Sequence, residues 1–442
     1  MPPAPPPAPH PTPIPAGRGP RLSRTAGFWL LATTQFTLMA ASSAPSPLYS
    51  EYARDWGLSA TAVTVVFAVY ALAVLAALLV AGALSDHLGR RPVLIAALVG
   101  EAAAMVVMLT ADGVGQLIVG RALQGLATGA AAGAISAGLI DLQHPGSRLG
   151  ALLNGVGTTG GMAVGALAGG ALTQYAPSPH VVVFALPAAA SLALAVSVPL
   201  VPETSPLRPG TLASLRPRAS VPHADRKAFL IVAPPFIASW AIGGLYLSLG
   251  SSLTADILHT GNHVVAGLVV ALLPGTAAIA CLVLRNTAPL PMMLSGSVAL
   301  AAGTLLTLPA LLLPSMPLLL AATVVAGYGF GTAFLGGFRM LALTAAPQQR
   351  AQLFAAVYVM CYLANSVPAI AAGLAIPSLG LRETATGYVG AVGVLALLSI
   401  PFGVGALRRT RQVPAVPAVV APVTTAAPAA APGTPLDRTP AA

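Results

Sequence analysis

Charged residues are scarce in this chain of 442 residues: only 7% are Asp, Glu, Lys or Arg, whereas 56% are hydrophobic and the mean hydropathy is +0.84. Soluble globular domains carry about a quarter charged residues. So few charges cannot cover the surface of a water-soluble globule of this size, which excludes a soluble protein. The composition predicts an integral membrane protein.

Cysteine and acidic residues are also scarce. The two cysteines, Cys281 and Cys361, lie inside apolar stretches, which indicates small packing residues rather than a disulfide framework or a metal site. Basic residues outnumber acidic ones by 21 to 11, a formal net charge of +10. The arginines are scattered between apolar runs rather than massed on one element, so they argue against a nucleic-acid-binding surface and indicate membrane topology.

Long apolar segments make up most of the chain. A helix needs about 20 residues to cross a bilayer, and twelve segments are long enough. The pattern predicts an all-α integral membrane protein with twelve transmembrane helices in two six-helix pseudo-repeats, an arrangement typical of secondary transporters. We place the spans at 27–46, 60–83, 92–111, 115–139, 150–174, 180–201, 228–250, 263–284, 289–312, 317–338, 351–375 and 386–407.

Three segments of different composition flank and separate the two sets of spans. Residues 1–24 are rich in proline and residues 409–442 in proline and alanine, and we expect both to be disordered cytoplasmic tails because proline fixes φ and removes backbone donors. The polar segment 202–227 is predicted to be a cytoplasmic linker between six-helix bundles at 25–201 and 228–408. The first tail lacks the apolar core of a cleavable signal peptide.

The basic residues are distributed unevenly between alternate loops. With a cytoplasmic N-terminus, 18 of them fall on the inside and only Arg54 and Arg382 on the outside, while Arg121 lies within a span. Such a bias sets orientation in membrane proteins. It predicts a multi-pass protein of the cytoplasmic membrane with both termini in the cytoplasm.

The loop between the second and third spans reads GALSDHLGRRP over residues 82–92. It resembles the signature loop of the major facilitator superfamily, G-x-L-x-D-x-x-G-R-[RK], at the same place in the chain. The resemblance implies the superfamily fold and transport by alternating access. It also implies that this loop latches the two halves together when the cytoplasmic side of the protein is shut. Asp86 would then face the start of span 11, near Ala351, with Arg90 as its ionic partner. The gating residues implied are Gly82, Asp86, Gly89, Arg90 and Arg91; a basic turn that only sets topology is the alternative.

The fourth span contains VGRALQGLATG over residues 119–129, which resembles a second motif of the family. In the family its arginine is linked to proton coupling. A charge at this depth costs about 2.5 kcal/mol or more, so Arg121 should face a cavity and a partner, unless it snorkels to the surface. Glu101, the most deeply placed acid, lies within reach if the helices share a face. We predict that Arg121 and Glu101 couple proton movement; a neutral acid bonded between helices is the alternative for Glu101.

The fifth span contains GMAVGALAGG over residues 161–170. Its spacing is similar to the element G-x-x-x-G-P-x-x-G-G of the drug/proton antiporter branch, with Ala166 in place of the proline. The resemblance favours efflux over uptake. Small residues at this spacing also allow close helix packing in any bundle. The residues concerned are Gly161, Gly165, Gly169 and Gly170.

Spans 1, 4, 7 and 10 usually line the central cavity of the family. Mainly apolar and aromatic groups with a few hydrogen-bonding groups suit a lipophilic or amphiphilic small molecule, although aromatic residues at helical spacing also serve packing. Together with span 11, these spans offer as cavity residues Gln35, Gln124, Trp240, Tyr246, Tyr328, Tyr358, Tyr362 and Asn365.

The sequence therefore predicts a monomeric, proton-coupled exporter of a small molecule, embedded in the lipid bilayer, with no cofactor, no metal and no nucleic-acid partner. The alternative within transport is a symporter that imports a nutrient such as a sugar, an amino acid or an organic acid. A polytopic membrane enzyme is more remote, because the seven histidines are dispersed. No G-x-x-x-x-G-K loop occurs, so ATP is not the direct energy source, and we expect no enzymatic activity.

Overall fold

The computed structural model of the chain describes residues 22–205, 219–257, 259–346 and 348–412. Nearly all of both predicted tails, and the middle of the predicted linker, lie outside these ranges. Within them the chain is helical and contains no strand.

Twelve long helices make up most of the described residues, as the hydropathy pattern predicts. Eleven are long and apolar enough to cross a membrane; the first has 20 residues, but Thr33, Gln35 and Thr37 lower its hydropathy. The bounds are α1 Arg24–Ser43, α2 Ala60–Ala81, α3 Arg90–Leu109, α4 Val114–Leu142, α5 Leu149–Tyr175, α6 Pro179–Ser197, α7 Arg226–Ser252, α8 His263–Val283, α9 Pro289–Leu312, α10 Met316–Thr344, α11 Arg350–Leu379 and α12 Leu381–Gln412.

Local sequence explains where several helices begin and end. The side chains of Ser23, Ser59 and Asn262 accept hydrogen bonds from backbone N–H groups in the first turns of α1, α2 and α8, as side-chain caps do. Gly89 has a φ of +96°, which glycine adopts readily. It separates α3 from a short helix, Leu84–Leu88, and a second short helix, Tyr49–Asp55, lies between α1 and α2.

The helices pack in two sets of six. The first six contact one another and so do the last six, and the two sets meet where α2 packs against α11 and α5 against α8. Close approach depends on glycine, as at Gly129, where an added Cβ would lie 2.6 Å from the carbonyl oxygen of Val74 on α2. Small residues at such crossings let membrane helices gain van der Waals contact.

The two ends of the bundle differ in how closely the halves approach. We call the end that carries Arg90, Arg148 and Arg350 the basic end, and the opposite one the distal end. At the distal end the Oγ1 of Thr61 on α2 donates to the carbonyl oxygen of Gly373 on α11 at 2.7 Å, and the N–H of His263 on α8 donates to Oε1 of Gln174 on α5 at 2.9 Å.

At the basic end α5 and α8 are apart. A Cβ added at Gly155 of α5 would meet no other atom within 4 Å, and the side chain of Val283, at the end of α8, is 74% exposed. The central space between the halves is therefore closed at the distal end and opens toward the basic end.

Candidate functional site: a buried polar network and a basic gate

A buried polar network joins α1, α3 and α4. The carboxylate of Glu101 is fully buried and accepts a hydrogen bond from Nε2 of Gln124 at 2.9 Å. The hydroxyl of Thr128, one turn further along α4, lies 3.5 Å from the other carboxylate oxygen. Because α4 brings Arg121, Gln124 and Thr128 onto one face at helical spacing, this acid meets a polar strip rather than a packed apolar surface.

Arg121 occupies the other side of Gln124. Its Nη1 donates to Oε1 of Gln124 at 2.6 Å and to the carbonyl oxygen of Ser42 on α1 at 2.9 Å. Its guanidinium carbon lies 4.2 Å from the ring centroid of Tyr70 on α2, a cation–π contact. Arg121 is only 2% exposed, so its side chain points into the bundle and does not snorkel.

Glu101 and Arg121 come together indirectly, through Gln124. Among the described residues no ion pair within 4.0 Å joins them. The Nε of Arg121 is buried and has no hydrogen-bond partner in that part of the chain. The network thus contains one acid, one permanent cation and an amide between them.

The signature loop forms a second polar cluster at the basic end. Arg90 lies 2.7 Å from a carboxylate oxygen of Asp141, at the end of α4, and 3.7 Å from Asp86. Arg90 is therefore the ionic partner of Asp86, but its shorter contact is with Asp141. An added Cβ at Gly133 of α4 would lie 2.6 Å from the carbonyl oxygen of Gly82, so the loop packs directly on α4.

Glu203, just after α6, caps the start of α3. Its two carboxylate oxygens accept hydrogen bonds from the backbone N–H groups of Arg90 and Arg91, each at 3.0 Å. An anion at a helix N-terminus satisfies free N–H groups and the helix dipole. The guanidinium Nε of Arg90 donates to Oγ1 of Thr204 at 2.8 Å, and that of Arg91 donates to the carbonyl oxygen of Val201. The signature loop is thus bonded to the end of the first six-helix set.

In this arrangement Asp86 does not lie buried against α11. Its side chain is 47% exposed, Ala351 is exposed, and the neighbouring Gln352 accepts a hydrogen bond from the hydroxyl of Ser220 at 3.0 Å. The resemblance implies this latch only when the basic end is shut, whereas here α5 and α8 are apart at that end.

The glycine element of α5 faces two helices. Added Cβ atoms at Gly161, Gly165 and Gly169 would meet the backbone of the first long helix and its extension, at Phe36, Ala40 and Ala44 respectively. Gly170 instead faces the backbone of α8, where a Cβ would collide with the carbonyl oxygen of His263. Three of the four glycines therefore pack α5 within its own half, and the fourth closes the distal contact between halves.

Aromatic side chains of α7, α10 and α11 form a half-buried group in the second half. The ring centroid of Trp240 lies 4.9 Å from that of Tyr362 and 5.8 Å from that of Phe334, and Tyr358 joins the group through Tyr362 at 6.4 Å. We call these rings the aromatic cluster; its members are Phe236, Trp240, Phe334, Phe338, Phe354, Tyr358 and Tyr362.

The other predicted cavity residues lie elsewhere. Gln35 is 5% exposed and donates to Oγ1 of Thr158 on α5 at 2.9 Å. The hydroxyl of Tyr246 lies 2.8 Å from Oγ1 of Thr323, inside the core of the second half, and that of Tyr328 lies 3.3 Å from Ser295 on α9. Asn365 is buried, with its carbonyl oxygen against Gly244. Gln124 belongs to the buried network, so the predicted cavity set does not form one surface.

Comparison with known proteins identifies the family. Residues 31–289, more than half of the chain, match the sequence profile of the Major Facilitator Superfamily. The chain belongs to the Major Facilitator Superfamily. It is therefore a multi-pass membrane protein of a transporter family, as the signature loop implies.

Two curated superfamily relatives are resistance proteins. The puromycin resistance protein pur8 of Streptomyces alboniger is 33% identical over 162 residues, 36% of this chain and 32% of the relative. The class C tetracycline resistance protein of Escherichia coli is 39% identical over 117 residues, 26% of this chain and 29% of the relative. The matched segments thus span about a third of each relative's own length.

Solved structures of superfamily transporters share the fold. A bacterial homologue of the human lysosomal transporter Spinster, inward-facing and unoccupied, superposes with a TM-score of 0.68 at 14% identity, over 88% of this chain and 98% of that one. The human organic anion transporter MFSD10 (TETRAN) superposes with a TM-score of 0.62 at 18% identity, over 87% of this chain and 100% of that one. At such identities the likeness concerns the fold alone.

Sequence reasoning missed several residues of these clusters. Asp141 and Glu203 lie far along the chain from the loop they contact, and no local pattern marks them. Thr128 was detectable, since it follows Arg121 and Gln124 at helical spacing on α4. The phenylalanines of the aromatic cluster carry no signal that distinguishes them from core residues.

Proposed function

We propose that this superfamily member exports a small lipophilic or amphiphilic molecule across the cytoplasmic membrane by alternating access, in exchange for protons. Its partial similarity to puromycin and tetracycline resistance proteins supports efflux. So does the glycine element of α5, although Ala166 replaces the branch's proline. We propose that the protein works as a monomer, with two six-helix bundles bounded as predicted.

The buried network supports proton coupling. The main support for the proposal is the full burial of the Glu101 carboxyl group among the helices. A carboxyl group buried among membrane helices is costly unless it is neutral or partnered. The amide of Gln124 can donate to a carboxylate and can still bond a protonated carboxyl through its other atoms. Glu101 can therefore hold or release a proton without leaving its site. Because Gln124 also contacts Arg121, a change at the acid alters the bonding of the cation on α4.

We assign the basic end to the cytoplasm. Arg90, Arg148 and Arg350 lie there, whereas Arg54 and Arg382 lie at the distal end, in agreement with the positive-inside rule. On this assignment the structure holds the inward-open state. Substrate would enter from the cytoplasm, and the latch involving Asp86 would form when the basic end closes.

The aromatic cluster supports an aromatic or amphiphilic substrate. Two of its three helices, α7 and α10, are among those that usually line the central cavity in this family, and every ring of the cluster except that of Phe236 retains some exposed surface. Aromatic rings offer apolar area and stacking geometry to a planar ligand. Within the cluster no residue is charged, which favours a lipophilic molecule over a sugar.

Everted membrane vesicles test the direction of transport and the coupling together. Respiration acidifies their interior, and a pH-sensitive dye reports the gradient. With the protein present, puromycin, tetracycline or a related compound should discharge the gradient, and a sensitive host should gain resistance. If no compound of the panel discharges the gradient, and the host instead gains growth on a sole carbon source, the protein is a nutrient symporter and the efflux proposal is wrong.

A further inference from the structure

Three metal-ligating side chains that belong to neither the network nor the gate meet at the distal end. Glu51 and Asp55 lie on the short helix Tyr49–Asp55 that joins α1 to α2, and His180 is the second residue of α6. One ligand atom from each lies within 4.8 Å of those of the other two. The Nε2 of His180 is 3.6 Å from a carboxylate oxygen of Glu51, too far for a hydrogen bond.

Rigid packing holds these ligands in place. The short helix buries Tyr49 and Tyr52, and the preceding Leu48 is buried with them, in an apolar core that includes Phe184 of α6. The ring of Tyr52 stacks on the imidazole of His180, with centroids 5.3 Å apart, and on Trp56 at 4.4 Å. Ligands on packed helices need little reorganisation to bind an ion.

The cluster also leaves polar atoms unsatisfied. In the part of the chain that the structure describes, neither Oε2 of Glu51 nor Nδ1 of His180 has a hydrogen-bond partner, although both atoms are buried. Buried polar groups normally have partners. In addition, Glu51 and Asp55 are like charges four residues apart on one helix, which repel each other. A cation between them would remove that repulsion and would give the free carboxylate oxygen of Glu51 a partner.

We propose that Glu51, Asp55 and His180 form a binding site for a divalent transition-metal ion of the zinc class. One imidazole nitrogen and two carboxylate oxygens match the ligands that zinc takes in proteins, with a further position left for water. Hard ions such as magnesium and calcium favour all-oxygen sites and should bind more weakly. The bound ion would tie the connection between α1 and α2 to the start of α6.

A direct binding measurement tests this proposal on the full chain in lipid nanodiscs, with any affinity tag removed. Titration with zinc chloride at pH 7.5 should show one saturable site per chain, and magnesium chloride should not compete. His180→Ala and Glu51→Gln should each weaken zinc binding by about a hundredfold or more, since loss of even an outer-shell partner costs about 10–100-fold. The matched controls are His259→Asn and Asp112→Asn, which remove one histidine and one acid from distal-end loops and should bind zinc like the parent.

X-ray absorption at the zinc edge provides a second readout that depends on ligand identity. The loaded parent should show imidazole scattering, and His180→Ala should lose it. If His180→Ala does not fold, the zinc affinity of Glu51→Gln, which keeps the side-chain size, tests the proposal instead. Absence of saturable binding in the parent, or equal affinity in parent and ligand variants, overturns the proposal. Neither result tests proton-coupled efflux, because none of the three proposed ligands belongs to the buried network.

Discussion

The carboxylate of Glu101 on α3 and the guanidinium of Arg121 on α4 are joined through one side chain: Gln124 donates to the first and accepts from the second. A hydrogen bond to a charged partner is stronger than one between neutral groups. The amide therefore holds an acid and a cation in fixed relation without a direct ion pair. A change of charge at Glu101 therefore alters the hydrogen bonding of Arg121.

Replacement of Gln124 by leucine should damage both stability and transport. Glu101 would keep only its longer contact with Thr128, and Arg121 would lose its shortest hydrogen bond. Unpaired buried polar groups cost about 1–3 kcal/mol each. We expect a lower midpoint of thermal unfolding and at least a tenfold lower transport rate. Leu123→Ala, at an exposed position of the same helix, is the control; equal effects of the two substitutions would argue against the bridge.

Replacement of Glu203 by glutamine should loosen the start of α3. The variant keeps one acceptor oxygen but loses the negative charge that faces the helix N-terminus. Backbone amides of Arg90 and Arg91, which donate to the carboxylate, should exchange with deuterium faster. Amides at the start of α5 should exchange as in the parent and serve as the internal control. Unchanged exchange at Arg90 and Arg91 would show that the cap does not stabilise the gate.

Replacement of Gly170 by valine should disfavour the distal-closed state. The added side chain would collide with the backbone of α8 at His263, and its Cβ would lie 3.1 Å from the Cα of Gly267. Overpacking costs about 1–3 kcal/mol. In a background without the two native cysteines, Thr61→Cys should react faster with a membrane-impermeant maleimide when Gly170→Val is present. Gly155→Val, in open space on the same helix, should leave the labelling rate unchanged.

Removal of rings from the aromatic cluster should weaken substrate binding. Trp240→Ala or Tyr362→Ala removes one partner of the cluster's Trp–Tyr contact, 4.9 Å between centroids. Losing an aromatic contact of about 0.5–1.5 kcal/mol plus buried area should raise KM roughly tenfold with little change in kcat. Tyr328→Ala, whose hydroxyl contacts Ser295, should leave KM near the parental value. An unchanged KM in both cluster variants would show that the cluster does not bind substrate.

The fold could be predicted from the sequence because hydropathy and helix-breaking residues are local signals. The spans match the helices, with shifts at the ends that have local causes. For example, α1 ends at Ser43 rather than near residue 46 because Pro45 and Pro47 begin a tighter turn. The longest excess is in α12, which begins at Leu381 and extends beyond its apolar part to Gln412.

The site was predictable only where its members share one helix or one loop. Arg121 and Asp86 stand out through motif and depth. The bridging position of Gln124 depends on how α4 is rotated against α3, and composition does not determine that rotation. Glu203 and His180 reach their partners from 112 residues or more along the chain, so their contacts exist only in the folded bundle.

Proton movement in Glu101→Gln tests the account most directly. Proteoliposomes that contain the purified parent, Glu101→Gln or Glu101→Asp are loaded with a pH-sensitive dye and given a substrate gradient. The account predicts substrate-driven proton flux in the parent, a reduced flux in Glu101→Asp, and none in Glu101→Gln, which keeps the hydrogen bond with Gln124 but cannot carry the proton. A Glu101→Gln protein that folds and moves protons with substrate at the parental rate would contradict it.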